Sequence, residues 1–137
     1  METEGQFSPA TVDETRDRYE ALGSTAQVVV KEAAKAMGLD AEAYRERVTS
    51  EVVETARDVL FAESLTVTVG SREEFEEWCA DTDRAVEVIG ADNVERVAWH
   101  APDFADEAVA ATFQSEREAA VGTLRRQAFG RIYREVV

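Results

Sequence analysis

The sequence predicts an α+β fold: three N-terminal helices, a small antiparallel sheet of about three strands with one inserted helix, and a long C-terminal helix. Three observations lead there. The first 60 residues carry repeated helix-capping signals and apolar positions at helical spacing. Residues 65–69, LTVTV, alternate strictly between apolar and hydroxyl side chains, the period of a half-buried strand. Everything from about Ala105 to Val136 is compatible with helix.

Residues 1–7 are polar and are expected to be disordered. Ser8-Pro9 reads as an N-cap with proline at the first helical position, and Thr11-Val12-Asp13-Glu14 offers a competing capping box. The first helix is expected to run to Leu22 and stop at Gly23. Ser24-Thr25-Ala26-Gln27 is a second capping box, and its helix would end at Met37-Gly38, glycine suiting the left-handed position after a helix. Asp40 caps a third helix, with Tyr44, Val48, Val52, Ala56, Val59 and Leu60 at helical spacing.

After LTVTV, Gly70 turns the chain and Ser71-Arg72-Glu73-Glu74 caps a short helix with Phe75, Trp78 and Cys79 inward. AVEVIG and VERVAWH read as two more strands, joined as an antiparallel hairpin by Gly90-Ala91-Asp92-Asn93. Pro102 ends the last strand and Asp103 caps the final helix. Unbroken, that helix would extend roughly 48 Å at about 1.5 Å per residue, more than the width of so small a domain. Val109, Phe113, Ala120, Leu124 and Ala128 share one face, and Ala111, Gly122 and Phe129 another. A helix apolar on two faces packs on two sides, which points to a partner or a dimer.

With 137 residues, 45% hydrophobic and 32% charged, the chain fits a single domain, 1–137, able to bury a core. No apolar run approaches the ~20 residues of a membrane span, and the N-terminus lacks the basic and apolar regions of a secretory signal. Cytoplasmic is the expected location. A lone cysteine, Cys79, rules out an internal disulfide, and one histidine with one cysteine cannot build a His/Cys zinc site. Phosphate loops and paired metal ligands are missing, so no cofactor, metal or catalytic residue is expected. Glu73, Glu74, Glu76 and Glu77 read as a hydrated helix face.

Two groups of residues carry the remaining candidates. Trp99, His100, Gln114 and Arg117 would form a binding site for a small molecule or anion if they converge. His100 titrates nearest neutrality, and Arg117 could anchor an anion. The plainer readings come first: a surface or capping histidine, core tryptophans, and an Arg117 paired with an acid of the N-terminal helices, since an unpaired buried charge is costly. Arg125, Arg126, Phe129 and Tyr133 form the second group, an interface on the last helix.

Residues 121–134, VGTLRRQAFGRIYR, hold four arginines and no acid in a chain of net charge −14. Four phosphate contacts would lose on the order of 10³–10⁴ in affinity over about a tenfold rise in salt. On the helical wheel these arginines also scatter, so nucleic acid is not expected. They suit pairing within the chain and an interface. The bases are thirteen arginines and only two lysines, against 29 acids. That composition, with the segment VAWHAPDFADEAVAATFQSEREAAVGTLRRQAFGRIYR, resembles the small acidic proteins of unknown function of halophilic archaea. At ~1 M salt the Debye length is about 3 Å and self-repulsion is screened. The resemblance implies no activity. The resulting expectation is a non-enzymatic cytosolic domain that meets a protein partner or a second copy through its C-terminal helix. The alternative is a ligand-binding domain, or an enzyme, around Trp99, His100 and Arg117.

Overall fold

The computed structural model describes residues 1–137. Strand β1 (Glu2–Glu4) leads into helices α1 (Val12–Ala36), α2 (Ala41–Arg47) and α3 (Ser50–Ser64). Strand β2 (Val67–Ser71), helix α4 (Arg72–Asp81) and strands β3 (Ala85–Ile89), β4 (Arg96–His100) and β5 (Glu107–Phe113) follow. Helix α5 (Arg117–Ala128) runs on into a π-helical turn, Phe129–Tyr133. The five strands form one mixed sheet in the order β1-β2-β4-β5-β3.

This is α+β, but the expected division of the chain is corrected at several points. Helix α1 passes straight through Gly23. A glycine inside a helix sacrifices about 1 kcal/mol relative to alanine, and here packing outweighs it. Thr15, Ala26, Val30 and Ala34 form one buried stripe along α1. Gly23 itself admits the Arg57 guanidinium, which donates to the carbonyls of Tyr19 at 2.7 Å and Glu20 at 3.1 Å. The supposed third helix is two helices, because Thr49 takes an extended conformation and caps α3 through Val52 N. Val52 and Val59, two of the apolar positions at helical spacing, are 41% and 49% exposed.

The expected three-stranded antiparallel sheet has five strands and mixed direction. β3 and β4 do not pair; β5 lies between them, parallel to β3 and antiparallel to β4. Its sequence, EAVAATF, falls in the stretch compatible with helix and lacks the alternation of a half-buried strand. Strands buried on both faces read as continuous apolar runs, and Ala108 through Ala111 are all buried. The C-terminal helix is therefore shorter than expected and begins at Arg117. Residues 2–4, expected to be disordered, pair with β2 in antiparallel register. The register Thr68↔Trp99 and Trp99↔Ala110 fixes the centre of the sheet.

Two cores lie on the two faces. The larger holds Phe61, Leu65, Val67, Val69, Val109, Leu124, Phe129 and Tyr133 between the sheet and α1, α3 and α5. The smaller holds Phe75, Val97, Trp99 and Ala110 beneath α4, which opens with a capping box between Ser71 and Glu74.

Candidate functional site

Trp99 and His100 are neighbours on β4, so their side chains leave opposite faces of the sheet. Trp99 packs under α4, 5.3 Å from Phe75 and 5.8 Å from Trp78 between ring centroids. His100 enters the other core and is 3% exposed. Its Nδ1 lies 2.7 Å from the Thr66 carbonyl and its Nε2 lies 2.6 Å from the Tyr133 hydroxyl. One tautomer satisfies both contacts: Nδ1–H donates to Thr66, and Nε2 accepts from Tyr133. Burial pushes the His100 pKa down to about 4, against the Thr66 hydrogen bond, with Arg125 lowering it further. Burial also raises that of Tyr133. The pair is neutral at pH 7.

Arg117 faces neither residue. Its Nη1 donates to Glu2 at 2.6 Å, and its Nε and Nη2 donate to Glu4 at 3.0 and 2.8 Å. The acids come from β1 and not from the N-terminal helices. Hydrogen bonding to Arg117 in turn holds the Glu2 carboxyl below its usual range. Gln114 is exposed in a separate cleft. The structure thus places Trp99, His100, Gln114 and Arg117 in separate surroundings.

The residues expected at an interface also divide. Phe129 and Tyr133 are 4% and 0% exposed, inside the chain's own core. Arg125 donates to the carbonyl of Leu65 at 2.9 Å and to that of Glu4 at 3.4 Å, holding the end of α3 and β1 together. Only Arg126 is exposed among the four. The second apolar face of the helix does not exist, because Ala111 belongs to β5 and the π-helical turn rotates Phe129, Ile132 and Tyr133 inward.

What remains open beside that helix is a groove. Thr55, Asp58, Val59 and Ala62 of α3 form one wall, and Arg126, Phe129 and Arg134 the other, around a cavity of about 290 Å³. The Arg134 guanidinium lies 5.1 Å from the Phe129 ring centroid and 3.9 Å from an Asp58 oxygen. Asp58 already accepts the Tyr19 hydroxyl at 2.6 Å, and burial, reinforced by this hydrogen bond, raises the Tyr19 pKa to about 12. Arg126 has no carboxylate within 4.0 Å, although the chain carries 29 acids. Val59 is the signal sequence reading missed; as one of several helical apolar positions, nothing marked it as outward.

A larger cleft, about 510 Å³, lies where the carboxyl ends of β3 and β5 meet the start of α5. Ile89, Ala111, Phe113 and Ala120 give it an apolar floor, and Thr112, Gln114, Ser115 and Thr123 give it hydrogen-bonding groups. Gly90, at φ +102°, closes β3 against Thr112 where a side chain would collide with the threonine hydroxyl. No group of three or more His, Cys, Asp or Glu side chains is placed to hold a metal ion, and no helix is long and apolar enough to cross a membrane.

Fold and surface together define a small acidic α+β domain with several open clefts, the groove beside α3 and the cleft at the start of α5 among them. A family model matches residues 6–134, and the chain belongs to that family, DUF5809, a family of unknown function. No curated protein and no solved structure matches it.

Proposed function

We propose that the chain is a non-enzymatic protein–protein interaction domain, docking through the groove between α3 and the C-terminal helix. One observation carries the reading. Val59, exposed and apolar, sits beside Arg126 and Arg134 in a groove floored by Ala62 and Phe129. Interfaces favour an aromatic or aliphatic centre with arginine at its edge, and a cationic rim on so acidic a chain selects an acidic partner. The charge balance supports a cytosolic setting rich in salt, where net repulsion between acidic surfaces is screened. The test is Arg126→Glu with Arg134→Glu: association measured in high salt should fall at least about tenfold, roughly 1.4 kcal/mol, with circular dichroism unchanged. Unaltered association in a folded double variant would remove the groove from the interface.

A second reading rests on the larger cleft, whose hydroxyl and amide groups and Glu116 carboxylate above an apolar floor suit a small polyhydroxylated ligand that donates hydrogen bonds. A panel of sugars and polyols would be screened by thermal shift, with Ala120→Phe filling the cleft. Saturable stabilisation that the variant abolishes supports it; absence of any shift across the panel sinks it.

A further inference from the structure

Resting on the docking reading, we infer that the occupant of the groove is a second copy of this chain, packed α3 against α3 across a two-fold axis. Val52 and Val59 are seven residues apart, so they lie within about 20° of one line along α3, some 10 Å apart. Exposed Thr55 and half-buried Ala56 sit between them, small enough for two helices to approach closely.

The charges select the direction. Arg126 and Arg134 stand at the Val59 end of this line. Exposed Glu51 stands at the other end, next to Val52 and beyond the groove lining, which begins at Thr55. Antiparallel packing about Thr55 and Ala56 places Val59 of one copy over the partner's Val52, and Arg126 and Arg134 beside the partner's Glu51. Parallel packing would instead leave Arg126 and Arg134 level with the partner's Val59 end and a helix length away from its Glu51. A two-fold axis repeats each favourable contact, as a self-complementary patch requires.

Salt favours this pairing. Two copies of net charge −14 repel at long range, whereas the arginine–glutamate contacts act at short range. Raising salt shortens the Debye length from about 10 Å at 0.1 M to about 3 Å at 1 M, so the long-range repulsion fades first. Only one helix face and two arginines per copy take part, and the dimer is expected to dissociate on dilution.

Sedimentation equilibrium in about 1 M KCl, where the Debye length is about 3 Å, tests this on the full chain. The wild type should show concentration-dependent dimer, weaker at low salt. Glu51→Arg alone, or Arg126→Glu with Arg134→Glu, should weaken dimerisation at least tenfold, and combining all three should restore it. Independently, Thr55→Cys in a Cys79→Ser background should form an intermolecular disulfide under mild oxidation, because a residue at the axis meets its own copy within the ~7 Å that a disulfide allows. Thr25→Cys on α1 is the control and should link no faster than random collision. A wild type that stays monomeric at high concentration, or a Thr55→Cys rate no higher than the control, overturns the inference. If the pure chain is monomeric yet a different protein is bound and then lost in the Arg126→Glu, Arg134→Glu variant, self-association fails while the docking reading stands.

Discussion

His100 Nε2 lies 2.6 Å from the Tyr133 hydroxyl and joins the end of β4 to the π-helical turn near the C-terminus. The two residues are 33 positions apart, and both are closed off from water by the larger core. A polar pair so placed fixes the orientation of the last turn, since hydrogen bonds strengthen in a low-dielectric interior and unpaired partners there are penalised. Pi-helical turns frequently mark functional sites. Here the turn serves to bring Phe129, Ile132 and Tyr133 inward together.

The first prediction concerns acid. His100 has a pKa of about 4 in the folded chain, against about 6.5 unfolded. Between those values the unfolded state binds the extra proton, so stability rises with pH through this window. It is fully present above pH ~6.5 and lost as pH falls toward ~4. At roughly 1.4 kcal/mol per pKa unit, the loss is about 3 kcal/mol. Measured in high salt, which mutes carboxylate repulsion, urea unfolding of the wild type should weaken over this range more steeply than that of His100→Gln. Parallel curves would show that burial of the imidazole is not what acid attacks.

Tyr133→Phe should leave the fold intact and remove the one donor to His100 Nε2. A buried acceptor left without its partner forfeits about 1–3 kcal/mol. Chemical denaturation at pH 7 should register that loss. The variant should gain nothing from the added hydrophobicity. A loss under about 0.5 kcal/mol, the lower bound for an ordinary hydrogen bond, would mean that water reaches the site.

Arg117 acts as a clasp for β1. Its contacts to Glu2 and Glu4 are the only ion pairs linking that strand to α5, and the arginine side chain is one-third exposed. Exposed pairs contribute little singly, and here Nε and Nη2 converge on one Glu4 oxygen while Nη1 reaches Glu2. Arg117→Ala should therefore lower stability only slightly but speed amide exchange in residues 2–4 and their β2 partners. Glu4→Gln should reduce the effect of Arg117→Ala in a double-mutant cycle. Additive effects would show that the two side chains act independently.

Parts of this arrangement were legible in the chain. Thr11, Asp40 and Ser71 announce helix starts because a short oxygen-bearing side chain before an amphipathic stretch has few other local uses, and each accepts the expected backbone N–H. LTVTV placed Val67 and Val69 inward by period alone. Alanine defeated the reading of β5, since it suits a helix interior and a close-packed strand equally; Val109, Thr112 and Phe113 were the weak contrary signal. Gly23 misled because a local stop signal cannot report the Arg57 side chain that fills its space. The site was less legible still. Nothing local distinguishes Val59, exposed, from Leu60, half-buried, or reveals that Arg117 finds its acids more than a hundred residues away.

The last prediction follows from net charge. Six salt bridges hold the chain, most of them exposed, against an excess of fourteen acids. Raising KCl removes little from each exposed pair, whose whole contribution is at most about 1 kcal/mol. It relieves repulsion summed over every acid on the surface. Stability should therefore climb with KCl, steeply at first, as the Debye length falls from about 10 Å at 0.1 M to about 3 Å at 1 M. A gain of even 2 kcal/mol would raise Tm by roughly 5–10 °C in a chain of this size. The check is a melting series at pH 7 in KCl, run beside a variant with Glu73, Glu76 and Glu77 of α4 changed to glutamine. The variant should begin with a higher Tm in dilute buffer and respond less to salt. Equal slopes would place the salt effect outside the acidic surface, in hydrophobic burial common to both chains.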